Sequence, residues 1–239
     1  MDTKRETLLP LATYASVATA ILLVGLKTWA WLASGSVSLL ASLVDSLTDS
    51  MASIVNLFAV RLALRPADDN HPFGHGKAES LSALAQSAFI GGSAVFLLLN
   101  AVERLLHPQP LQQTTLGIAV MLVSLLLTLA LVLFQRWVLR RAQSQAVSAD
   151  SLHYVTDFAS NIVVLVALGL AAWGGQRAEA VLALLLGGWI FWSAAKIAIE
   201  ALNPLMDKAL PPADVARIEA AALAVPGVLG LHDLRTRLS

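Results

Sequence analysis

Six stretches of mostly apolar residues, at roughly 11–33, 38–63, 80–105, 114–138, 147–172 and 178–199, fill most of the chain. Each is as long as the ~20 residues that an α-helix needs to cross a bilayer's hydrocarbon core. A chain that is 57% hydrophobic and 13% charged is too apolar for an ordinary soluble domain, so the expected fold is an all-α membrane protein with six transmembrane helices. The first stretch has no small-residue cleavage site after a short apolar core and reads as a retained helix, not a removed signal peptide. The breaks are short and carry turn chemistry: Ser34-Gly35-Ser36, residues 65–76, His107-Pro108-Gln109-Pro110, residues 140–148, and Gly174-Gly175-Gln176.

An even number of spans puts both termini on one side, and the Lys/Arg asymmetry says which. Lys4, Arg5, Arg61, Arg65, Lys77, Arg136, Arg140 and Arg141 flank the spans on the N-terminal side, against Arg104 and Arg177 on the other. Cytoplasmic loops retain positive charge, so both termini are expected in the cytoplasm. Lys27 falls in the outer third of the first span, where a long stem is expected to snorkel to the interface. The formal net charge is zero, which provides no electrostatic ground for a nucleic-acid partner. Cysteine is absent, so any metal ligand must be imidazole or oxygen.

Three carboxylates stand out near the middle of two of these spans. Asp45 and Asp49 are four apart in the second, and His153 and Asp157 are four apart in the fifth, so each pair occupies one helix face. An ionised aspartate at mid-span costs roughly 2.5–3.5 kcal/mol even on a lenient scale, which makes function the default reading. The second and fifth spans run in opposite senses and carry their pairs near mid-depth, so the pairs can meet. One imidazole nitrogen and three carboxylate oxygens suffice for closed tetrahedral coordination of zinc; iron(II), cobalt, manganese and cadmium also suit such ligands. Hydrogen-bonded glue between helices is the alternative, and it needs no set of three mutually repelling carboxylates. Asn56 and Asn161 continue the two faces, and for them glue and site extension both stand.

The motifs Leu43-Val44-Asp45-Ser46-Leu47-Thr48-Asp49, Ala67-Asp68-Asp69-Asn70-His71-Pro72-Phe73-Gly74-His75-Gly76-Lys77 and Asp150-Ser151-Leu152-His153-Tyr154-Val155-Thr156-Asp157 together resemble the cation diffusion facilitator family. They are most similar to its bacterial ferrous-iron and zinc efflux branch. The resemblance runs from the first span into the tail. It implies a homodimer, embedded in the lipid bilayer of the bacterial inner membrane, that exchanges Zn2+, Cd2+ or Fe2+ for protons, with Asp45, Asp49, His153 and Asp157 as the transport site. The presence of His153 resembles the zinc and cadmium members. Proton exchange also follows from the residues: three bare negative charges in a low-dielectric cavity favour proton uptake, whereas a metal needs its ligands deprotonated.

Asp68, His71 and His75 lie in the cytoplasmic connection after the second span, where Pro72 and Gly74 can fold two imidazoles and a carboxylate around one ion. A solvated polar loop is the competing, less favoured reading of that spacing, and the resemblance, which implies a second metal site here, disfavours it further. It also implies that Lys77 and Asp207 take part in a charge cluster at the dimer interface, although a local solvated pair reads equally well and is worth only about 0–1 kcal/mol. After residue 199 the composition changes. Asn203-Pro204 ends a helix, Pro211-Pro212 opens another with Val215, Ile218, Ala222 and Val225 at amphipathic spacing, and residues 228–237 alternate like one strand. His232-Asp233 resembles the start of the family's cytoplasmic metal-binding domain.

The expected organisation is a six-helix transmembrane transport unit over residues 1–205. Residues 206–239 are an incomplete α+β segment of ferredoxin-like, metallochaperone-like type. A lone helix and strand cannot bury a core, so this tail either pairs with another chain or opens a longer protein, and the second is expected. Two other readings compete: an intramembrane aspartyl protease, disfavoured because Asp45 and Asp49 share one helix and no glycine-flanked aspartate appears, and a non-transporting metal sensor.

Overall fold

The computed structural model describes residues 3–107, 115–171 and 178–237. It contains seven α-helices: α1 (Thr3–Ser34), α2 (Val37–Ala63), α3 (Lys77–Leu106), α4 (Thr115–Leu139), α5 (Gln145–Ala171), α6 (Ala178–Leu205) and α7 (Pro212–Leu223). Six correspond to the apolar stretches, with longer ends because charged and polar first and last turns continue the backbone ladder into the interface. Among the described residues five, α1 to α4 and α6, are long and apolar enough to cross a membrane. The expected turns at 108–110 and 174–176, and Arg177, lie outside the described residues.

The helices pack mainly as α3 with α6 and α1 with α2, while α5 is enclosed by α3, α4 and α6 and touches α2. Small residues permit the closest approach: Ile90 and Ala94 of α3 interlock with Ile190 and Ala194 of α6, and a Cβ added at Gly187 would stand 2.9 Å from the Leu98 side chain. Without a hydrophobic drive between helices in lipid, such close packing supplies the attraction. Ile21, Leu22, Phe96, Leu126, Leu185 and Trp192 project outward, as a lipid-facing surface requires.

Local signals set the connections. Gly35 adopts φ 63° and donates its N–H to Trp31 O at 2.8 Å, a left-handed helix end that glycine occupies without strain and that leaves only a tight link to α2. Ser144 caps α5, its Oγ accepting the Val147 N–H at 3.2 Å and donating to Glu79. Glu79 also receives Arg5 at 3.1 Å, so the N-terminal ends of α1, α3 and α5 share one buried carboxylate.

The tail differs from expectation. Pro204 lies within the last turn of α6, and the helix ends beyond it with Asp207 at φ 53°, a left-handed position that Asp tolerates better than most residues. Helix α7 forms, with Pro212 at its first position, but none of its residues is buried. Residues 228–237 form no strand, because among the described residues no second strand offers a ladder.

Removing the α5 cap tests this assembly. Ser144→Ala is expected to cost about 0.5–2 kcal/mol, read as a lower melting temperature of the detergent-solubilised protein; an unchanged melting temperature would contradict the capping role.

Candidate metal centre

Asp49 is the twelfth residue after the start of α2, and Asp157 the twelfth after the start of α5. At 1.5 Å per residue both lie ~18 Å from their helix starts. The antiparallel helices therefore present their polar faces at one depth. His153 Nε2 lies 2.9 Å from Asp49 Oδ1 and 3.6 Å from Asp157 Oδ2. One ligand atom from each of the three residues falls within 4.8 Å of the others. The side chains are 7%, 20% and 36% exposed for His153, Asp49 and Asp157, so the imidazole forms the floor and Asp157 the open side. Phe89 and Tyr154 flank the imidazole at ring-centroid distances of 6.1 and 5.7 Å.

The expected fourth member stands apart. Asp45 is exposed and is not one of the three groups drawn together. Asp45 and Asp49 are one turn apart on a single helix, where like charges repel, and the one imidazole edge is already shared by two carboxylates. Asn56 and Asn161 lie outside the cluster as well. Asn56 Oδ1 accepts from Ser82 of α3 at 3.3 Å, and Asn161 donates to the Asp157 carbonyl at 2.9 Å. Asn56 thus joins α2 to α3, whereas the Asn161 bond stays within α5.

Lys27 does not turn to the interface. Its ammonium crosses from α1 to α2, donating to Ser46 Oγ at 2.6 Å and to Ser42 O at 3.2 Å. Sequence reasoning also missed what holds α5. Asp150, one turn before His153 and fully buried, accepts hydrogen bonds from Ser16 of α1, Gln86 of α3 (3.2 Å) and Gln135 of α4 (2.7 Å). Tyr154 OH bonds Ser53 of α2 at 2.9 Å and donates to Ser16 O at 3.3 Å. The intramembrane amides of Gln86 and Gln135 were the available signal, since buried polar side chains seek partners.

The loop between α2 and α3 gathers Asp68, His71 and His75, whose ligand atoms also lie within 4.8 Å of one another. Asp68 accepts the N–H groups of His71 (2.6 Å) and Asn70 (3.0 Å) in an Asx turn, and Gly74 supplies a φ of 83°. Asp68 Oδ1 is 3.1 Å from His71 Nδ1, and Oδ2 is 3.4 Å from His75 Nε2. The His71 N–H, then the His71 imidazole, hold the Asp68 carboxyl below its ordinary range. Beside the loop, Lys77 Nζ meets Asp207 Oδ1 at 2.9 Å and Arg237 reaches the same carboxylate at 3.4 Å while covering the Phe73 ring at 3.6 Å. Lys77, followed by Arg237, holds Asp207 below the usual carboxylate range. His232 and Asp233 are exposed on the tail and join no group of three ligands among the described residues.

A depressed carboxyl keeps its contribution to the loop above the ordinary titration range and loses it only as pH falls through the lowered value. Carboxyl-carbon NMR is therefore expected to place the Asp68 midpoint below the usual ~3.9, and to return it towards that value when His71→Pro removes the donating N–H; a wild-type midpoint at or above the ordinary value would contradict the Asx-turn account.

Compared with known proteins, residues 13–206 match the cation efflux transmembrane domain and residues 210–239 match the cation efflux protein cytoplasmic domain. The cation-efflux pump FieF of Klebsiella pneumoniae is 53% identical over 228 residues, which are 95% of this chain and 76% of that protein. FieF of Yersinia enterocolitica is 51% identical over 239 residues, 100% of this chain and 80% of its own length. FieF of Escherichia coli is 52% identical over 228 residues, 95% of this chain and 76% of its own length. The resemblance read from the three motifs is thereby borne out: the chain belongs to the cation efflux family, as a multi-pass transporter of the bacterial inner membrane and not an enzyme.

Proposed function

We propose that this protein exports a divalent transition-metal ion, zinc before cadmium or iron(II), from the cytoplasm in exchange for protons. The observation that carries the reading is the placement of His153 between Asp49 and Asp157, a nitrogen–oxygen donor set at mid-membrane depth. Asp45 is the fourth ligand, supplied from the same face of α2 when the cation is taken up, which makes the loaded site an Asp3His tetrahedron. Helices α1 to α6 form the transport unit within residues 1–205, α5 being a sixth span whose polar face is covered by its neighbours. Residues 206–239 begin a cytoplasmic α+β metal-binding domain, and both termini lie in the cytoplasm.

The chemistry of exchange rests on charge. A divalent ion binds deprotonated carboxylates and neutral imidazole, so loading expels protons and proton uptake expels metal. Alternate opening of this site to the two sides couples the inward proton gradient to outward metal flux. Asp68, His71 and His75 form a second, more exposed site at the cytoplasmic entrance, with faster exchange than the membrane site. His232 and Asp233 contribute to metal binding in the cytoplasmic domain. The exposed apolar face of α7 supports a homodimer, with Lys77 and Asp207 in its charge cluster.

Proteoliposomes test the proposal. Zinc uptake is expected to accelerate under an imposed pH gradient and to move protons in return, and Asp157→Ala to reduce flux to that of protein-free vesicles while the protein remains inserted. Flux that ignores the gradient would exclude antiport; binding that saturates with no flux would favour a sensor. His71→Ala is expected to lower metal occupancy of the loop, measured by equilibrium dialysis, while leaving measurable flux.

A further inference from the structure

The Lys27 ammonium is expensive to hold between helices unless negative charge compensates it. Its position near the end of α1 leaves the interface within reach of its stem, yet it donates to Ser46 Oγ and Ser42 O on α2. Ser42, Ser46 and Asp49 follow one another on a single face of α2, at helical spacings of four and three. The ammonium is thus anchored about one turn from Asp49, on the face of α2 that carries it.

We infer that Lys27 is a fixed countercharge of the transport site, which weakens its hold on a divalent cation and so permits release. This deepens the transport reading above and rests on it. Three carboxylates with a neutral imidazole carry three negative charges; the ammonium reduces the net to two, equal and opposite to the charge of a divalent ion. The loaded cluster is then neutral, and neutrality is the least costly state to carry through a low-dielectric region. Without Lys27 the loaded cluster retains one negative charge and binds the cation more tightly. A simple tether between α1 and α2 is the competing role, and it makes no such demand on affinity.

The test is zinc titration calorimetry on the protein in detergent, carrying His71→Ala, His75→Ala, His232→Ala and Asp233→Ala so that the membrane site reports alone, together with zinc flux in proteoliposomes. Lys27→Gln, and Lys27→Met as a variant that keeps the unbranched stem, are expected to bind zinc about tenfold or more tightly, the order of effect of one unit charge at an effective dielectric constant of about 20. Their turnover at saturating zinc is expected to fall. Lys27→Arg and Ser46→Ala, which retain the charge, are expected to keep wild-type affinity. Unchanged or weaker affinity in both neutral variants overturns the inference, as does an equal tightening in Ser46→Ala, which would identify a tether. Absence of zinc binding before Lys27 is altered would instead overturn the transport-site reading on which the inference stands.

Discussion

Charge inside a membrane is the constraint around which this protein is arranged. A carboxylate at mid-depth pays a desolvation cost that the surrounding protein must offset, and α5 brings two of them, Asp150 and Asp157, together with His153. The structure treats the two acids differently. Asp150 is surrounded by donors from α1, α3 and α4, which leaves it a structural anchor. Asp157 shares the edge of His153 with Asp49 and retains an open side, which leaves it available to a cation. One helix thus carries a satisfied carboxylate and an unsatisfied one a few residues apart, and the first holds the second in position.

The same division recurs at the end of the bundle where α1, α3 and α5 begin. Glu79 is buried and bound by Arg5 and Ser144, tying α3 to α1 and to the start of α5. A few residues earlier, Asp68 orders its loop through backbone N–H groups and faces two imidazoles. Lys77 then joins the loop to Asp207 at the end of α6, and Arg237 brings the tail against both Asp207 and Phe73. The loop ligands are therefore mechanically continuous with the start of α3 and with the tail, the region matched by the cytoplasmic domain of cation efflux proteins.

The spans were legible because an apolar run long enough to cross a bilayer has few alternatives, and hydrogen-bond satisfaction in lipid forces it into a helix. The pairing of polar side chains was legible because a spacing of four places Asp45 with Asp49, and His153 with Asp157, on single faces. The tail was read in part. Helix α7 forms where Pro212 opens it and leaves Ile218 exposed, as a lone helix without a covering surface must. Alternation over residues 228–237 predicts a strand only where another strand can pair with it, and that contact lies outside the local pattern.

The amino-acid sequence by itself determined the membrane class, the helical repeat, the uneven distribution of Lys and Arg, and the two faces that carry paired Asp and His side chains, because each is a consequence of local composition and helix periodicity. Only the tertiary structure decided the rotation and depth of each helix. Those brought three of the four intramembrane groups together and left Asp45 apart, turned Lys27 inward to α2, and chose Asp150 as the anchor of α5. Such outcomes depend on which neighbour stands across each face, and periodicity along one helix carries no information about its partner.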